Sequence, residues 1–310
     1  MRGFTSDMDL NKSQLSVSHL KMICQIERCD TVKQAAQSLF ISQPALTNRI
    51  REAERRLNAK LFVRRGRKLI ISNAGKRLLQ SAKKILEELA RAEYDIARLN
   101  DGIEQVLRLG LPHYASFEWL PKAMQFFSEK LPNIELEITA QAALQPLSSL
   151  YAGDVDMAMI SSANAKLTVD EAIYSTVCIA EDELMACLSV KHRLANKAFV
   201  RAEDFADEVY VTNATVPEKD REYELFFKPQ NVLPRKVLQV GFNDAIIELV
   251  KANAGLSIFS KRQASALNHD DEIKTIKLGQ QGLTIYWHLV YLQQPSIESP
   301  ALLLAKLLKA

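Results

Sequence analysis

The stretch Thr31–Ser72 reads TVKQAAQSLFISQPALTNRIREAERRLNAKLFVRRGRKLIIS and predicts two short helices followed by a basic hairpin. Thr31 and Gln34 have the spacing of a capping box, which indicates the start of the first helix. Ser42 is typical of the N-cap of the second helix, and Pro44 then falls in the first turn, where its missing N–H costs nothing. Asn58 tolerates the left-handed conformation that ends many helices.

The second predicted helix has two unlike faces. Its apolar residues follow one another at intervals of four, three and four, and they are Leu46, Ile50, Ala53 and Leu57. The opposite face is polar, as in the base-reading helix of a helix-turn-helix, and the basic turn after it predicts a wing that reaches phosphate or the minor groove. We expect bases or the adjoining sugar-phosphate edge to contact Gln43, Pro44, Thr47 and Asn48. We expect mainly phosphate contacts, with Arg67 in the minor groove, from Arg51, Arg64, Arg65, Arg67 and Lys68.

Charge is distributed unevenly along the chain. Residues 1–72 hold 14 Lys and Arg against 6 Asp and Glu, a net of +8, whereas the remainder holds 26 against 31, a net of −5. An ordinary helical pair with a solvated basic face is the alternative interpretation of the stretch, but it does not explain why the excess stops at the hairpin. A basic N-terminal region followed by a mildly acidic remainder predicts that a polyanion binds only to the N-terminal region. We take that polyanion to be double-stranded promoter DNA.

The segment from His19 to Leu79 resembles the N-terminal domain of LysR-type transcriptional regulators. The residues that carry the resemblance are Ala35, Ala36, Leu39, the run Ile41–Leu46, Ile50, Glu54, Leu57, Leu61, Phe62, Arg64, Arg65 and Ser72–Gly75. Asn48 stands where the family often has Arg, and Asn58 where it usually has Gly. The resemblance implies a ligand-controlled DNA-binding regulator that acts as a homodimer or homotetramer and works with RNA polymerase.

A long helix is predicted after Ser72, running to about Asn100. Its apolar positions alternate in steps of four and three, which favours pairing with a second helix rather than packing as an ordinary core helix, the alternative interpretation. We predict dimerisation through Leu78, Ala82, Ile85, Leu89, Ala92 and Ile96. The resemblance implies the same long linker helix.

From residue 101 onward, predicted strands and helices alternate in an α/β pattern. The predicted strands include Ile134–Thr139, Ile173–Ile179, Leu184–Val190 and Leu283–Leu292. One helix is predicted around Arg221–Phe227, and the last predicted helix runs from Pro300 to Leu308. Two α/β lobes joined by crossing strands form a cleft like that of periplasmic binding proteins. The predicted fold class is therefore a multidomain α+β protein. Its parts are a winged helix-turn-helix at 1–72, a linker helix at 73–100 and an effector-binding domain at 101–310. Lobe I covers about 101–177 plus 279–310, and lobe II covers about 178–278.

Small polar residues follow several predicted strands of this domain, where α/β folds bind ligands. A helix cap or a satisfied turn is the commoner role for each residue alone, but four such loops together favour a cleft. The predicted effector-binding residues are His113, Tyr114, Ser116, Ser161, Ser162, Thr212, Phe242 and Asn243.

His113 with Trp119 and Leu120, and the later run Phe226–Pro229, resemble the methionine-biosynthesis regulators within the LysR family. That resemblance implies control of methionine biosynthesis with homocysteine as the small-molecule effector. Another small carboxylate or amino acid from a different pathway is the alternative. The resemblance implies no cofactor.

Other functional classes are less well supported by the sequence. No G-x-G-x-x-G, P-loop, G-x-S-x-G or H-E-x-x-H motif is present, so we predict no catalytic or metal-ligating set and treat an enzyme as a remote alternative. A purely architectural DNA-binding protein would not need the α/β body. Met1–Asn11 has no apolar core and no run reaches membrane-spanning length, so we expect a cytoplasmic protein without a membrane partner. Its four cysteines are then reduced thiols, with a redox sensor as the alternative.

Overall fold

The computed structural model describes residues 13–65, 68–100, 102–112, 114–140, 142–143, 145–213, 220–267 and 271–309, with the backbone alone at 64, 65, 68, 266 and 267. The chain divides into two compact units, Met1–Gly102 and Ile103–Ala310. Within the described residues, no helix combines the length and the hydrophobicity needed to cross a membrane.

The first unit is mainly helical. Its elements are α1 (Val17–Arg28), α2 (Val32–Ser38), α3 (Gln43–Leu57), β1 (Phe62–Arg65), β2 (Lys68–Ile71) and α4 (Asn73–Asn100). The predicted caps are confirmed. The Thr31 hydroxyl accepts from the Gln34 N–H and the Gln34 carboxamide accepts from the Thr31 N–H, the Ser42 hydroxyl accepts from the Ala45 N–H, and Asn58 is left-handed with φ 48°.

The core of the first unit lies between α1, α2, α3 and the start of α4. Ala35 and Ala36 of α2 are buried, as are Leu46, Ile50 and Ala53 of α3, which confirms three of the four residues in the predicted stripe. The expectation for Leu57 was wrong, because this residue lies at the end of α3 and is exposed. The two strands pair antiparallel from Phe62 opposite Ile71 to Arg65 opposite Lys68.

Ser72 directly precedes helix α4, and its hydroxyl accepts a 3.0 Å hydrogen bond from the Gly75 N–H. Its first turns pack on α1, so Ala82 is buried within the unit and belongs to the core. Farther along the helix, Ile85 and Ile96 are exposed in the single chain. The apolar row therefore leaves the core after the first third of the helix.

The second unit is α/β. Its strands are β3 (Gln105–Gly110), β4 (Ile134–Thr139), β5 (Met157–Ser162), β6 (Tyr174–Ser189), β7 (Phe199–Val200), β8 (Val209–Thr212), β9 (Lys236–Gln239), β10 (Ser257–Ser260), β11 (Ile273–Leu278) and β12 (Leu283–Leu292). Its helices are α5 (Leu120–Lys130), α6 (Pro146–Ala152), α7 (Asn243–Lys251), α8 (Lys261–Leu267) and α9 (Pro295–Lys309). Tyr223–Phe227 forms a π-type turn.

Eight strands form one sheet, in the order β4-β3-β5-β12-β6-β11-β7, with β10 also paired to β6. Strands β3, β4 and β5 run parallel, and β12 lies antiparallel between β5 and β6. The first part of β6 pairs with β12, and its last part pairs with β10 and β11. Strand β6 therefore passes from one lobe into the other.

The sequence predicted two strands, Ile173–Ile179 and Leu184–Val190, where the structure has the single strand β6. The acidic run Glu181–Glu183 looks like a break, but Asp182 is buried and accepts hydrogen bonds. Its Oδ1 lies 2.8 Å from the Glu183 nitrogen, and its Oδ2 lies 3.1 Å from the indole nitrogen of Trp287. A satisfied carboxylate thus lets the strand continue through a charged segment.

Candidate functional site

The N-terminal end of α3 presents a continuous polar surface. Gln43, Pro44, Asn48 and Arg51 are exposed and lie on one side of the helix, because their spacing is that of neighbouring turns. The Thr47 hydroxyl donates to the Gln43 carbonyl at 3.0 Å, so its methyl group and the lone pairs of its oxygen are left for an outside contact. This arrangement fits a helix that enters the major groove N-terminus first.

The predicted wing residues are placed only in part. Arg64 and Arg65 lie in β1 and Lys68 lies at the start of β2, each described by its backbone alone. Arg67 lies outside the described residues. The assignment of these four residues to phosphate or the minor groove therefore stays a prediction.

Glu54 joins α3 to the β1–β2 hairpin. Its Oε1 accepts from the backbone N–H groups of Leu61 and Phe62 at 2.9 and 3.2 Å, and its Oε2 lies 2.8 Å from Nζ of Lys60. The side chain is nearly buried beside Ala53. One carboxylate thus sets the position of β1 relative to α3, a role that the sequence reasoning missed. An acidic residue next to the apolar stripe of α3 was the available signal.

A buried histidine fixes the start of α1. Nδ1 of His19 accepts from the Ser16 N–H at 3.0 Å and lies 2.8 Å from the Ser16 hydroxyl, while Nε2 lies 3.8 Å from a Glu52 carboxylate oxygen. Burial lowers the pKa of His19 below its usual 6.5, and this effect outweighs the opposite pull of Glu52. Arg56 adds to the lowering and also donates to the Gln14 carbonyl at 2.8 Å.

We expect the first unit to lose stability as the pH falls through about 6.5, the usual pKa of histidine. The folded state disfavours protonated His19, so the unfolded state takes up the proton first and gains stability in acid. Urea unfolding of the wild type and of His19→Asn between about pH 7.5 and pH 5 checks this. Asn can accept from the Ser16 N–H but does not titrate, so its profile should be flatter; equal profiles would contradict the assignment.

In the second unit, residues from both lobes meet beside β5 and β8. The Ser161 hydroxyl donates to the phenolic oxygen of Tyr114 at 3.3 Å, and the Tyr114 ring centroid lies 5.7 Å from that of Trp287. The guanidinium carbon of Arg221 lies 4.0 Å from the Tyr114 ring centroid, a cation–π contact across the lobes.

Two more polar contacts lie around the same cleft. The Ser162 hydroxyl donates to a carboxylate oxygen of Asp220 at 3.1 Å, which joins the end of β5 to lobe II. The Asn213 amide donates to the side-chain oxygen of Asn243 at 2.9 Å, at the start of α7. Small polar side chains at strand ends therefore do converge here.

The cleft also holds a buried ion pair. Arg221 is 4% exposed, and its Nε lies 3.2 Å from Oε2 of Glu222. The Tyr210 hydroxyl donates to Oε1 of Glu222 at 2.9 Å, and burial, with Glu222 adding to it, raises the pKa of Tyr210 well above its usual value. The wall of the cleft thus offers a positive and a negative charge side by side.

The space between these residues is small. A cavity of about 20 Å³ is lined by Tyr114, Tyr210, Thr212, Asn213, Arg221 and Glu222, with Ile246 and β10 behind them. That volume holds about one water molecule. A ligand the size of an amino acid requires these side chains or the two lobes to move apart.

The structure brings five of the predicted effector residues to this cleft: Tyr114, Ser161, Ser162, Thr212 and Asn243. Ser116 lies nearby in sequence, and its carbonyl accepts from the indole nitrogen of Trp119 at 2.7 Å. Phe242 is exposed, and His113 lies outside the described residues. The sequence reasoning missed Arg221 and Glu222, because they lie at the start of the helix predicted around Arg221–Phe227, where charged side chains are usually solvated.

Comparison with known families matches both units. The model described as "Bacterial regulatory helix-turn-helix protein, lysR family" matches residues 17–76. The model described as "LysR substrate binding domain" matches residues 100–310.

Two curated regulators match this chain over most of their length. The HTH-type transcriptional regulator MetR of Haemophilus influenzae is 28% identical over 244 residues, which are 78% of this chain and 77% of that protein. MetR of Escherichia coli K12 is 25% identical over 266 residues, or 86% and 81% of the two chains.

Two solved structures share the fold. Full-length CbnR complexed with its target DNA has a TM-score of 0.72 at 19% identity, over 94% of this chain and 99% of that one. The regulatory domain of MetR from N. meningitidis has a TM-score of 0.58 at 20% identity, over 66% of this chain and 92% of that one.

Proposed function

Because this chain belongs to the LysR family of bacterial transcriptional regulators, we propose that it controls methionine biosynthesis with homocysteine as the effector. A regulator of this family is not an enzyme, and it binds DNA through one unit and a small molecule through the other. The observation that carries the finer proposal is the buried Arg221–Glu222 pair in the cleft.

A pair of opposite charges suits a zwitterion. The guanidinium of Arg221 can bind the carboxylate of an amino acid, and the Glu222 carboxylate can accept from its ammonium group. A simple carboxylate would use the first charge and bring no positive charge to the second. The cleft therefore favours an α-amino acid, and the likeness to MetR narrows the proposal to homocysteine. Another amino acid or small carboxylate from a different pathway is the alternative.

We propose that the protein acts as a homodimer or homotetramer on promoter DNA. Support comes from α4, where Ile85, Ile96 and Leu99 are exposed in the single chain, and a second copy of the helix would cover them. In a dimer, two DNA-binding units can bind two half-sites of the DNA at once, and the contacts of both then contribute to affinity. We place this action in the cytoplasm, with RNA polymerase as a further partner.

The test is binding of the purified protein to DNA upstream of its own gene and the neighbouring genes, titrated with salt, with and without homocysteine. We expect sequence-selective binding that falls steeply with salt and changes when homocysteine is added. The hydroxy acid with the carbon skeleton of homocysteine is the matched control, since it lacks the ammonium group and should act weakly.

The outcomes separate the two parts of the proposal. Selective binding that ignores homocysteine would reject the effector and send the search to other small acids. Gln43→Ala should lose sequence selectivity while keeping the effector response in whatever binding remains. Binding without selectivity under every condition would reject the assignment of α3 as the reading helix.

A further inference from the structure

Phe40 has an unusual place in the turn between α2 and α3. Its φ is 54°, in the left-handed region, and its side chain is 96% exposed. The backbone of the turn is well bonded, with the Phe40 N–H donating to the Gln37 carbonyl at 3.0 Å and the Ile41 N–H to the Ala36 carbonyl at 3.0 Å. The fold needs the left-handed turn here, but it does not need a phenylalanine.

The other left-handed positions of the chain show what the backbone prefers. Besides Phe40, the non-glycine residues with positive φ among the described positions are Asn58, Asp220, Asn231 and Asn253. All four are Asn or Asp, the residues that tolerate this conformation best. Phe40 is unfavourable in two ways. A bulky residue is disfavoured at positive φ, and an apolar ring is disfavoured in water. Because the fold favours neither this backbone conformation nor this exposure for a phenylalanine, we expect its side chain to contact another molecule.

The position of Phe40 indicates what that contact is. It lies two residues before Ser42, the N-cap of α3, and the neighbouring Gln43, Pro44 and Ala45 are exposed as well. The ring therefore continues the surface that faces DNA in a helix-turn-helix whose second helix enters the groove with its N-terminus. Carbon-rich surface at that place on DNA comes from deoxyribose and from the thymine methyl group.

We infer that Phe40 is a DNA contact whose ring packs on the apolar wall of the major groove, beside the bases read by α3. The inference rests on the proposed binding of promoter DNA and adds to it a contact that involves neither charge nor hydrogen bonds. The contact buries the exposed ring and gives the left-handed phenylalanine its function.

The test uses Phe40→Asn in the full-length protein. Asn removes the ring and suits the left-handed turn, so the melting temperature should stay the same or rise. Affinity for the selected operator should fall about tenfold, because burial of the ring in the complex is lost. The dependence of affinity on salt should keep its slope, since no phosphate contact is removed. Phe40→Tyr keeps the ring and should bind like the wild type.

Tyr151→Asn is the matched control, because it removes a ring that is 72% exposed in the second unit. It should leave DNA affinity unchanged. An operator in which uracil replaces thymine separates the two sources of carbon surface. Weaker binding by the wild type, but not by Phe40→Asn, assigns the thymine methyl group, whereas equal binding by the wild type assigns deoxyribose.

Three results would overturn the inference. The first is Phe40→Asn binding the operator as tightly as the wild type. The second is a lower melting temperature for Phe40→Asn, which would make the ring structural. The third is a change of oligomeric state in light scattering with unchanged affinity per DNA-binding head, which would make Phe40 a protein contact. If the wild-type protein selects no operator, the proposed function itself is rejected, and this result is distinct from the three that reject only the role of Phe40.

Discussion

Replacing Glu54 with alanine is expected to lower the free energy of unfolding of the DNA-binding unit by about 3–5 kcal/mol. The substitution leaves the buried N–H groups of Leu61 and Phe62 without their acceptor and removes the partner of Lys60. Each buried donor left unsatisfied costs about 1–3 kcal/mol, and the lost packing of the buried Glu54 side chain adds to that. Strand β1 also loses its anchor on α3, so operator binding should fail before the unit unfolds.

Glu52→Ala is the matched control, two positions away on the same helix. The Glu52 side chain is 42% exposed and that of Glu54 is 9% exposed. Glu52 pairs with Arg56 at the surface, where water and salt screen the pair, so its loss should cost far less stability than the loss of Glu54. Urea unfolding together with hydrogen exchange of the segment 43–71 measures both variants. Equal losses in the two variants would show that the carboxylate of Glu54 does not hold the wing.

Local chemistry explains which parts of the fold could be predicted from the sequence. A capping box, an N-cap serine and a left-handed asparagine act within four residues, so Thr31, Ser42 and Asn58 were predicted correctly. The strands Ile134–Thr139 and Leu283–Leu292 were predicted at their observed bounds. The first alternates apolar and polar residues, as a half-buried strand does, and the second is a long, mostly apolar run, as in a buried strand.

The errors arose where a distant residue decides the local structure. Strand β6 continues through its acidic segment because the indole of Trp287, more than a hundred positions later, donates to Asp182. Helix α8 and strand β11 were missed. The sequence also predicted the last helix from Pro300 onward, whereas α9 starts at Pro295 and contains Pro300 within it. Helix α9 continues through Pro300, although a proline inside a helix removes one backbone hydrogen bond and crowds the carbonyl four residues earlier.

The cleft shows the same limit. Polar residues at strand ends could be predicted as a group, because the ends of parallel strands meet at one edge of a sheet. The role of Arg221 could not be predicted, because it depends on contacts with two other side chains. Tyr114 lies far away in the sequence, and Glu222, although adjacent, looks like an ordinary surface charge. A buried charge looks like any surface charge until the fold places a ring and a counter-charge around it.

Arg221→Ala is expected to weaken homocysteine binding by about 30- to 1,000-fold, which corresponds to about 2–4 kcal/mol. The variant loses the charge that binds the carboxylate and removes the guanidinium whose Nε lies 3.2 Å from Oε2 of Glu222. Its DNA-binding unit is untouched, so operator affinity without effector should stay close to that of the wild type. Calorimetric titration of the effector, with operator binding measured in parallel, checks both expectations.

Two further variants show how the cleft recognises the effector. Arg221→Lys keeps a positive charge but loses the flat guanidinium over the Tyr114 ring, so binding should recover only in part. Glu222→Gln can still accept from the Tyr210 hydroxyl but has no charge for an ammonium group. It should bind homocysteine and the matching hydroxy acid about equally, whereas the wild type prefers the amino acid. A wild-type effector response in Arg221→Ala would place the effector elsewhere, and an undiminished preference in Glu222→Gln would mean that another group recognises the ammonium.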